Sequence, residues 1–280
     1  MHTLTKAGLL LLACTLSACA AAQPRSYNFS PVNQYNLKVS AGFWNPIVRY
    51  VSNRSGVRLN LKLGRTSADT TSYVLAREVD FAFTNHLFSP EREKMGWTVF
   101  GRRDGAAVRA QIVVPAGSTV KDLAGLAGAT IVFPGPEALV AYKVPYAELL
   151  RLKVPVNIVF AGNQDGAFTQ LFAGTARASG ANSQLVQNYS GREHKSFRVL
   201  WSSTPFNDLA LMASPRVAPE DLRAVAQAFL GMRQDPEGRR ILDAAAALVH
   251  EPRPLGFVAA SDDDYASYRA FYAGAPVSLR

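Results

Sequence analysis

Side chains with amide, hydroxyl and imidazole groups recur in short segments along this 280-residue chain. Such neutral groups can replace the water shell of a small polar molecule through directed hydrogen bonds, without breaking its bonds. The alternative interpretation is that they only cap helices and form turns, as Ser, Thr and Asn commonly do. The candidate ligand-binding residues are Trp44, Asn45, Thr66, Ser67, Thr70, Asn85, His86, Asn163, Gln164, Asn182, Ser203 and Thr204.

Groupings typical of catalytic or metal sites are poorly represented. The sequence has no Gly-x-Ser-x-Gly motif, and His86, His194 and His250 are not spaced as metal ligands. Gly125 and Gly128 precede a predicted strand, whereas the glycines of a dinucleotide-binding loop follow one. We therefore expect no catalytic residues, no metal and no cofactor, and an enzyme is the less favoured alternative.

The elements that position the candidate residues alternate between strands and helices. Apolar, β-branched runs predict strands at residues 37–40, 57–63, 79–84, 108–114, 130–133, 156–160, 176–180 and 209–213. Helical spacing predicts helices at 45–55, 68–78, 137–152 and 165–173, with two more that begin near Ala218 and Asp235. This alternation predicts an α/β protein with mixed, mostly parallel sheets, whose ligand sites lie at the carboxyl ends of strands.

The first 36 residues predict export. Lys6, the apolar run 7–13 and the small residues before Cys19 are typical of a lipoprotein signal peptide at residues 1–18. An ordinary secretory signal cut after Ala18 or Cys19 is the alternative. We expect a protein that faces the periplasm, anchored to the membrane by a lipidated Cys19, with residues 19–36 as a flexible tether.

The net charge of the chain indicates which kinds of molecule it could bind. The formal net charge is +9 and the isoelectric point is near 9.7, but the basic residues are spread along the chain. Such a field attracts anions in general, and no nucleic-acid recognition motif accompanies it. We therefore expect a small anionic ligand and no nucleic-acid partner.

Several ordered landmarks resemble the phosphate/phosphite/phosphonate-type substrate-binding proteins of ABC transporters. These landmarks, within residues 37–272, are Trp44-Asn45-Pro46, Ser55-Gly56-Val57, residues 78–83, 121–125 and 160–162, Ser202-Ser203-Thr204-Pro205 and Asp235-Pro236-Glu237-Gly238. The resemblance implies a two-lobed type II periplasmic-binding-protein fold with two crossing hinge strands. Lobe 1 would comprise residues 37–107 and 208–280, and lobe 2 residues 108–207.

The same resemblance implies ligand contacts and shows where this chain departs from the family. Trp44, Asn85, His86, Gln164 and Ser203 match pocket positions, with Pro136, Glu137 and Ala138 leading into the helix that grips phosphoryl oxygens in relatives. Where phosphonate binders carry Ser-Thr-Ser-Gly, this chain has Ala138-Leu139-Val140-Ala141, and Gln164 and Arg177 stand in place of a histidine and an acid. Because hydrogen bonds to charged groups contribute about 1.5–3 kcal/mol each, we expect weaker phosphonate binding here.

The expected function is therefore that of an exported, lipid-anchored, monomeric solute-binding protein. It would capture a small, anionic ligand in an interlobe cleft and serve an ABC permease. The alternative with the same fold is a ligand-sensing or accessory lipoprotein that acts on a membrane receptor or a respiratory system.

Overall fold

Two mixed β-sheets organise the chain in the structure, a computed structural model that describes residues 25–280. The first sheet has the strand order β11-β4-β10-β3-β1-β2. Its strands are β1 (Ser26–Pro31), β2 (Arg58–Leu61), β3 (Phe81–Thr84), β4 (Thr98–Arg103), β10 (Ala210–Ala213) and β11 (Phe257–Val258). Strand β1 pairs in parallel with β2 and β3, whereas the remaining pairs are antiparallel.

The second sheet has the strand order β7-β6-β8-β5-β9. Its strands are β5 (Val108–Pro115), β6 (Thr130–Phe133), β7 (Asn157–Phe160), β8 (Ala178–Asn182) and β9 (Phe197–Phe206). Strand β6 is parallel to β7 and β8, and β5 is antiparallel to β8 and β9. Antiparallel pairs thus concentrate where the chain passes from one sheet to the other.

Helices cover the sheets and follow the strand ends. They are α1 (Leu37–Ser55), α2 (Asp69–Leu75), α3 (Pro90–Glu93), α4 (Val144–Arg151), α5 (Gln164–Phe172), α6 (Ser183–Glu193), α7 (Pro219–Leu230), α8 (Pro236–Val249) and α9 (Ala266–Gly274). A π-helical segment, Leu139–Lys143, leads directly into α4, and 3-10 turns occur at Ala124–Leu126, Asp262–Tyr265 and Val277–Leu279.

The chain crosses between the two sheets twice, after β4 and after β9. The two crossings run side by side, because Arg102 pairs with Ala210 in the first sheet and Val108 pairs with Phe206 in the second. Two adjacent connections of this kind can act together as a hinge. The two crossing strands expected from the sequence are therefore present.

The predicted tether is wrong from Ser26 onward, because residues 26–31 form a strand inside the first sheet. Phe29 is fully buried and pairs with Leu61 on one side and Phe81 on the other. The prolines at positions 24 and 31 suggested a linker, but Pro31 ends the strand, where a missing N–H is tolerated.

The strand predicted at residues 37–40 is also wrong, since α1 already begins at Leu37. The side chain of Asn36 accepts a hydrogen bond from the Val39 N–H and so caps the helix. The helix continues through Pro46 to Ser55 and ends at Gly56, whose φ of 70° is the left-handed conformation that glycine adopts freely. The stop at Gly56 was predicted correctly.

Buried apolar side chains join the two sheets as well as filling each layer. One cluster contains Tyr35, which precedes α1, and Phe43 of α1, together with Leu185 and Tyr189 from α6. Apolar burial of this kind is worth roughly 25 cal/mol per Å², so it stabilises the approach of the two halves.

Two sequence predictions concern residues that precede Arg25, where the described chain begins. The signal peptide at 1–18 and the lipidation of Cys19 lie outside the described residues. Within residues 25–280, no helix combines the length and apolar character needed to cross a membrane.

Candidate functional site

A small cavity of about 40 Å³ lies where strand ends of the two sheets meet. Water needs roughly 10–15 Å³ on this measure, so the cavity holds a few water molecules or a very small ligand. Its lining residues are Val32, Asn33, Gln34, Ser67, Asn85, His86, Pro134, Ala138, Leu139, Val140, Ala141, Gln164, Asn182, Leu185 and Leu209.

Both sheets contribute to this lining through the carboxyl ends of their strands. Asn85 and His86 directly follow β3, and Pro134 directly follows β6. Asn182 is the last residue of β8, and Gln164 opens α5 after β7. This is the position at which open α/β sheets place ligands, because strand ends and helix starts both leave backbone groups unpaired there.

Backbone hydrogen bonds join the two sides next to the cavity. The N–H of Ser67, before α2, donates to the carbonyl of Gly162 at 2.7 Å. The N–H of Gln164 donates to the carbonyl of Gln34 at 3.2 Å. The structure therefore represents a closed arrangement, in which opening would break both bonds.

Two buried polar atoms that belong to lining residues have no hydrogen-bond partner in the described chain. They are Oγ of Ser67, whose residue is 3% exposed, and Oε1 of Gln164, whose residue is 2% exposed. A buried polar atom without a partner costs about 1–3 kcal/mol.

The helix that begins at Leu139 has its first turn at the cavity lining. The carbonyl of Ala138 accepts hydrogen bonds from the N–H groups of Tyr142 and Lys143, both at 3.0 Å. The N–H groups of the first turn have no acceptor within the helix, and they carry a partial positive charge. Leu139, Val140 and Ala141 bring no hydroxyl groups, so recognition at this helix start depends on the backbone.

His86 is held in its neutral form. Its Nδ1 lies 2.8 Å from Oγ1 of Thr71, and its backbone N–H donates to Oγ1 of Thr84 at 3.1 Å. Burial lowers the pKa of His86 from 6.5 to about 3, against a smaller opposing effect of Glu137. The imidazole therefore offers hydrogen bonds to the cavity at neutral pH, without a charge.

No charged side chain of residues 25–280 lines the cavity, although an ion pair lies beside it. Arg92 of α3 donates to Glu137 through Nη1 at 2.5 Å and Nη2 at 3.0 Å, and Nη1 also donates to the carbonyl of His86 at 2.7 Å. Burial would raise the pKa of Glu137, but the hydrogen bond and charge of Arg92 lower it below the ordinary value. This pair connects the strand ends of the two sheets.

A second buried ion pair lies at the crossings themselves. Nε of Arg103, at the end of β4, donates to Asp208 at 2.6 Å, and both side chains are buried. Nη2 of Arg103 donates to Oε1 of Gln184 on α6 at 3.1 Å. The hydroxyl of Tyr265 donates to the Asp208 carbonyl at 2.8 Å. The guanidinium of Arg103 thus joins the two crossings to each other and to α6 of the second half.

Six residues named from the sequence line the cavity: Ser67, Asn85, His86, Ala138, Gln164 and Asn182. Asn182 and Asn85, like His86, also have side-chain hydrogen bonds within the protein. Asn182 caps α6 by accepting from the Gln184 N–H at 2.9 Å, and Asn85 donates to the hydroxyl of Tyr268 at 3.3 Å.

The structure places Trp44 and Asn45 outside the cavity lining, because both belong to α1. Trp44 packs in the core against Phe29 and Phe83, with ring centroids 5.2 and 5.1 Å away. The side chain of Asn45 donates to the carbonyl of Ala41, one turn earlier in α1.

Local hydrogen bonds occupy the predicted hydroxyl and amide residues at three helix starts or strand ends. Thr66 donates to Asp69 at 2.8 Å, Thr70 donates to the Pro31 carbonyl at 2.8 Å, and Asn163 caps α5 by accepting from Gly166. The contacts of Thr66, Thr70 and Asn163 fit the alternative interpretation, in which such residues cap helices and form turns.

The other predicted residues lie near the cavity or on β9. Pro136 is exposed, and Glu137 binds Arg92. Oγ of Ser203 accepts from the Ala110 N–H at 3.0 Å. Ser203 and Thr204 line a separate open groove between α4, β9 and α9.

The lining residues that follow β1, and those that are apolar, were not predicted from the sequence. Val32, Asn33 and Gln34 fell in the predicted tether. The signal available was Phe29, an apolar residue in an extended run followed by polar residues and a capping Asn36. Leu139, Val140, Ala141, Leu185 and Leu209 carry no polar side-chain group that would have indicated them.

A family model described as the periplasmic substrate-binding protein of phosphonate ABC transporters matches residues 29–265. No curated protein matches the chain in sequence.

Solved structures show the same architecture at low sequence identity. The binding protein component of an ABC phosphonate transporter from Pseudomonas aeruginosa is similar with a TM-score of 0.73 and 14% identity, over 88% of this chain and 85% of that one. PhnD1 from Prochlorococcus marinus, in complex with methylphosphonate, gives 0.73 and 14% over 88% and 97%. A protein from Xanthomonas citri bound to ATP gives 0.67 and 15% over 89% and 96%. These likenesses establish the two-lobed fold expected from the sequence.

Proposed function

Because the chain belongs to the family of periplasmic substrate-binding proteins of phosphonate ABC transporters, we propose that it captures a small anion between its two lobes for an ABC permease. Lobe 1 would comprise residues 25–107 and 208–280, with β1 added to the sequence-based division, and lobe 2 residues 108–207. The ligand would occupy the cavity lined by Ser67, His86 and Gln164.

The observation that supports this proposal best is the combination of unpaired groups around a closed cavity. Backbone N–H groups at the Leu139 helix start favour a negatively charged oxygen. Oγ of Ser67 and Oε1 of Gln164 have no partner in the described chain. Buried polar groups usually have a partner, which a water molecule, an ion or a ligand can supply.

The fold provides a way for ligand capture and release to be coupled to closing and opening of the two lobes. Opening would separate Ser67 from Gly162 and Gln164 from Gln34, which bond only when the lobes are together. A ligand that contacts both lobes favours the closed form by its own contacts, whereas equal affinity for both forms would shift nothing. An ABC permease could then distinguish loaded from empty protein by lobe closure.

Calorimetry of the purified protein against methylphosphonate, phosphite, phosphate, sulfonates and small carboxylates tests the proposal. We expect saturable binding of at least one small anion, with one ligand per chain. Gln164→Leu should weaken that binding, whereas Gln170→Leu on the same helix α5, away from the cavity lining, serves as a matched control. Failure of every anion to bind would contradict the proposed function.

Membrane attachment is a separate part of the proposal. We infer that Cys19 is lipidated after removal of residues 1–18, so that the binding protein remains at the membrane surface. Fractionation of cells expressing the full chain should place it with membranes, and Cys19→Ser should release it to the periplasm. A Cys19→Ser protein that stayed with the membranes would contradict this part alone.

A further inference from the structure

We propose that one face of helix α6 is a latch that favours closure of the two lobes independently of the ligand. The latch consists of five side chains of α6: Gln184, Leu185, Asn188, Tyr189 and Arg192. These side chains share one face, because residues three and four positions apart are neighbours on a helix surface. The latch is a property of the fold, and only its effect on ligand affinity rests on the proposed function.

Gln184 lies between two charged side chains of lobe 1. Its Oε1 accepts a hydrogen bond from Nη2 of Arg103 at 3.1 Å, and its Nε2 donates to Oε2 of Glu251 at 2.5 Å. The side chains of Arg103 and Glu251 are 3% and 4% exposed. The acceptor end of the amide thus meets a cation and the donor end meets an anion, and both hydrogen bonds are strengthened by charge.

The middle of the latch lies against Tyr35, which precedes α1 in lobe 1. Nδ2 of Asn188 donates to the hydroxyl of Tyr35 at 3.4 Å. Leu185 and Tyr189 belong to the same buried apolar cluster as Tyr35 and Phe43. Opening of the lobes would expose apolar surface of this cluster to water, which is unfavourable.

The end of the latch at Arg192 reaches lobe 1 through Asp165 of α5. Nη2 of Arg192 donates to Oδ1 of Asp165 at 2.7 Å, and Oδ2 of Asp165 accepts from the backbone N–H of Asn36 at 3.2 Å. Asn36 caps the start of α1, where the N–H groups of a helix favour a negative charge. Arg192 thus holds a carboxylate of lobe 2 against a helix start of lobe 1.

The size of the cavity gives the latch a role in ligand capture. A cavity of about 40 Å³ admits only a small ligand, which makes few contacts with either lobe. A ligand shifts the lobes toward closure only by the contacts that it makes better in the closed form. The latch lowers the free energy that the ligand must supply, so the apparent affinity rises with the closed fraction of the free protein.

A disulfide between the lobes measures this closed fraction without a ligand. A Cβ atom added to Gly191 of α6 would lie 3.5 Å from Cβ of His250, the residue that ends α8 in lobe 1. Disulfides span Cβ separations of about 3.5–4.5 Å, so Gly191→Cys with His250→Cys should form one while the lobes are closed. Cys14→Ser and Cys19→Ser remove the two native cysteines of the full chain.

We expect this pair to form a disulfide in the ligand-free chain, at a rate that follows the closed fraction. Adding Gln184→Leu should slow its formation at least about fivefold, because Arg103 and Glu251 then lose a partner unless the lobes open to water. Gln187→Leu, at an exposed position of α6, is the matched control and should keep the rate. Absence of the disulfide, or equal rates with Gln184→Leu and Gln187→Leu, would overturn the proposal.

A second variant tests the other end of the latch. Asp165→Asn keeps the shape of the side chain but removes the charge that faces Arg192 and the start of α1, so disulfide formation should slow by about threefold. If Gln184→Leu does not fold, an unchanged rate in Asp165→Asn overturns the proposal.

Small-angle X-ray scattering of the ligand-free chain, without the added cysteines, measures closure independently. Gln184→Leu should increase the radius of gyration, whereas Gln187→Leu should leave it unchanged. A folded Gln184→Leu protein with the native radius would contradict a latch on α6.

Ligand binding separates the latch from the proposed function. Gln184 lies outside the cavity lining of the described residues, yet Gln184→Leu should weaken binding of the best-binding anion by about fivefold, in step with the closed fraction. Unchanged affinity would overturn the role of the latch in capture. If no anion binds to the native chain, the proposed function is contradicted, while the disulfide rates still decide whether the latch exists.

Discussion

Arg92 and Glu137 form a two-point ion pair across the two halves of the protein, directly beside the cavity. Arg92 belongs to α3 of the first half, and Glu137 follows β6 of the second. Both side chains are about one-fifth exposed, so the pair is only partly screened by water. Because the pair joins the two halves, it forms in the closed arrangement and should stabilise it.

Glu137→Gln should weaken ligand binding by about 5- to 30-fold, because the closed form would lose roughly 1–2 kcal/mol of stabilisation. Calorimetry with the best-binding anion measures this effect. Glu148→Gln, which removes a partner of Arg151 within α4, is the matched control. Unchanged affinity in Glu137→Gln would show that the pair does not contribute to closure.

His86 should make the protein less stable as the pH falls below 6.5. The unfolded chain takes up a proton at this histidine near pH 6.5, whereas burial lowers the pKa in the folded state to about 3. The free energy of unfolding therefore falls by up to about 1.4 kcal/mol per pH unit across this window.

Urea unfolding at pH 6.5 and pH 5 measures this effect in the native protein, in His86→Gln and in His250→Gln, whose histidine is exposed. The His86→Gln protein should lose less stability between the two pH values than the other two. An equal loss in all three would mean that His86 is not the group responsible.

The buried pair of Arg103 and Asp208 should be sensitive to loss of either partner. Asp208→Asn leaves the Arg103 charge buried without its countercharge, and we expect a loss of about 3–5 kcal/mol in the free energy of unfolding. The double variant Arg103→Met with Asp208→Asn should be more stable than Asp208→Asn alone. Chemical denaturation checks the order, and a double variant less stable than the single one would contradict it.

Gly135→Ala should weaken ligand binding with little change in fold. Its Cβ would lie 2.5 Å from Oγ of Ser67, so the hydroxyl must move. We expect about a 10-fold loss of affinity, the size of one lost hydrogen bond to an anion. In the Ser67→Ala background the same change should have a much smaller effect, and an undiminished effect there would exclude the proposed clash.

The sequence predicted the architecture well where the local signal agreed with the tertiary contacts. Apolar, β-branched runs marked β3 and β5, and Gly56 marked the end of α1. The prediction failed for β1, because two prolines and several polar residues resembled a linker. In the structure β1 lies between β2 and β3 and pairs with both, which buries Phe29.

The candidate site was predicted in part, for a related reason. Ser67, His86 and Gln164 were named because polar side chains at strand ends indicate ligand contacts, and they line the cavity. Trp44 resembled a pocket residue, but α1 turns it into the core. The role of Leu139 and Val140 depends on their backbone, which side-chain chemistry in a sequence does not reveal.

Calorimetric titration of the purified protein with methylphosphonate and the other small anions tests the central claim most directly. We predict saturable binding of one anion per chain that is weakened by Gln164→Leu and unaffected by Gln170→Leu. Absence of binding by every anion, or binding that Gln164→Leu leaves unchanged, would contradict capture in this cavity.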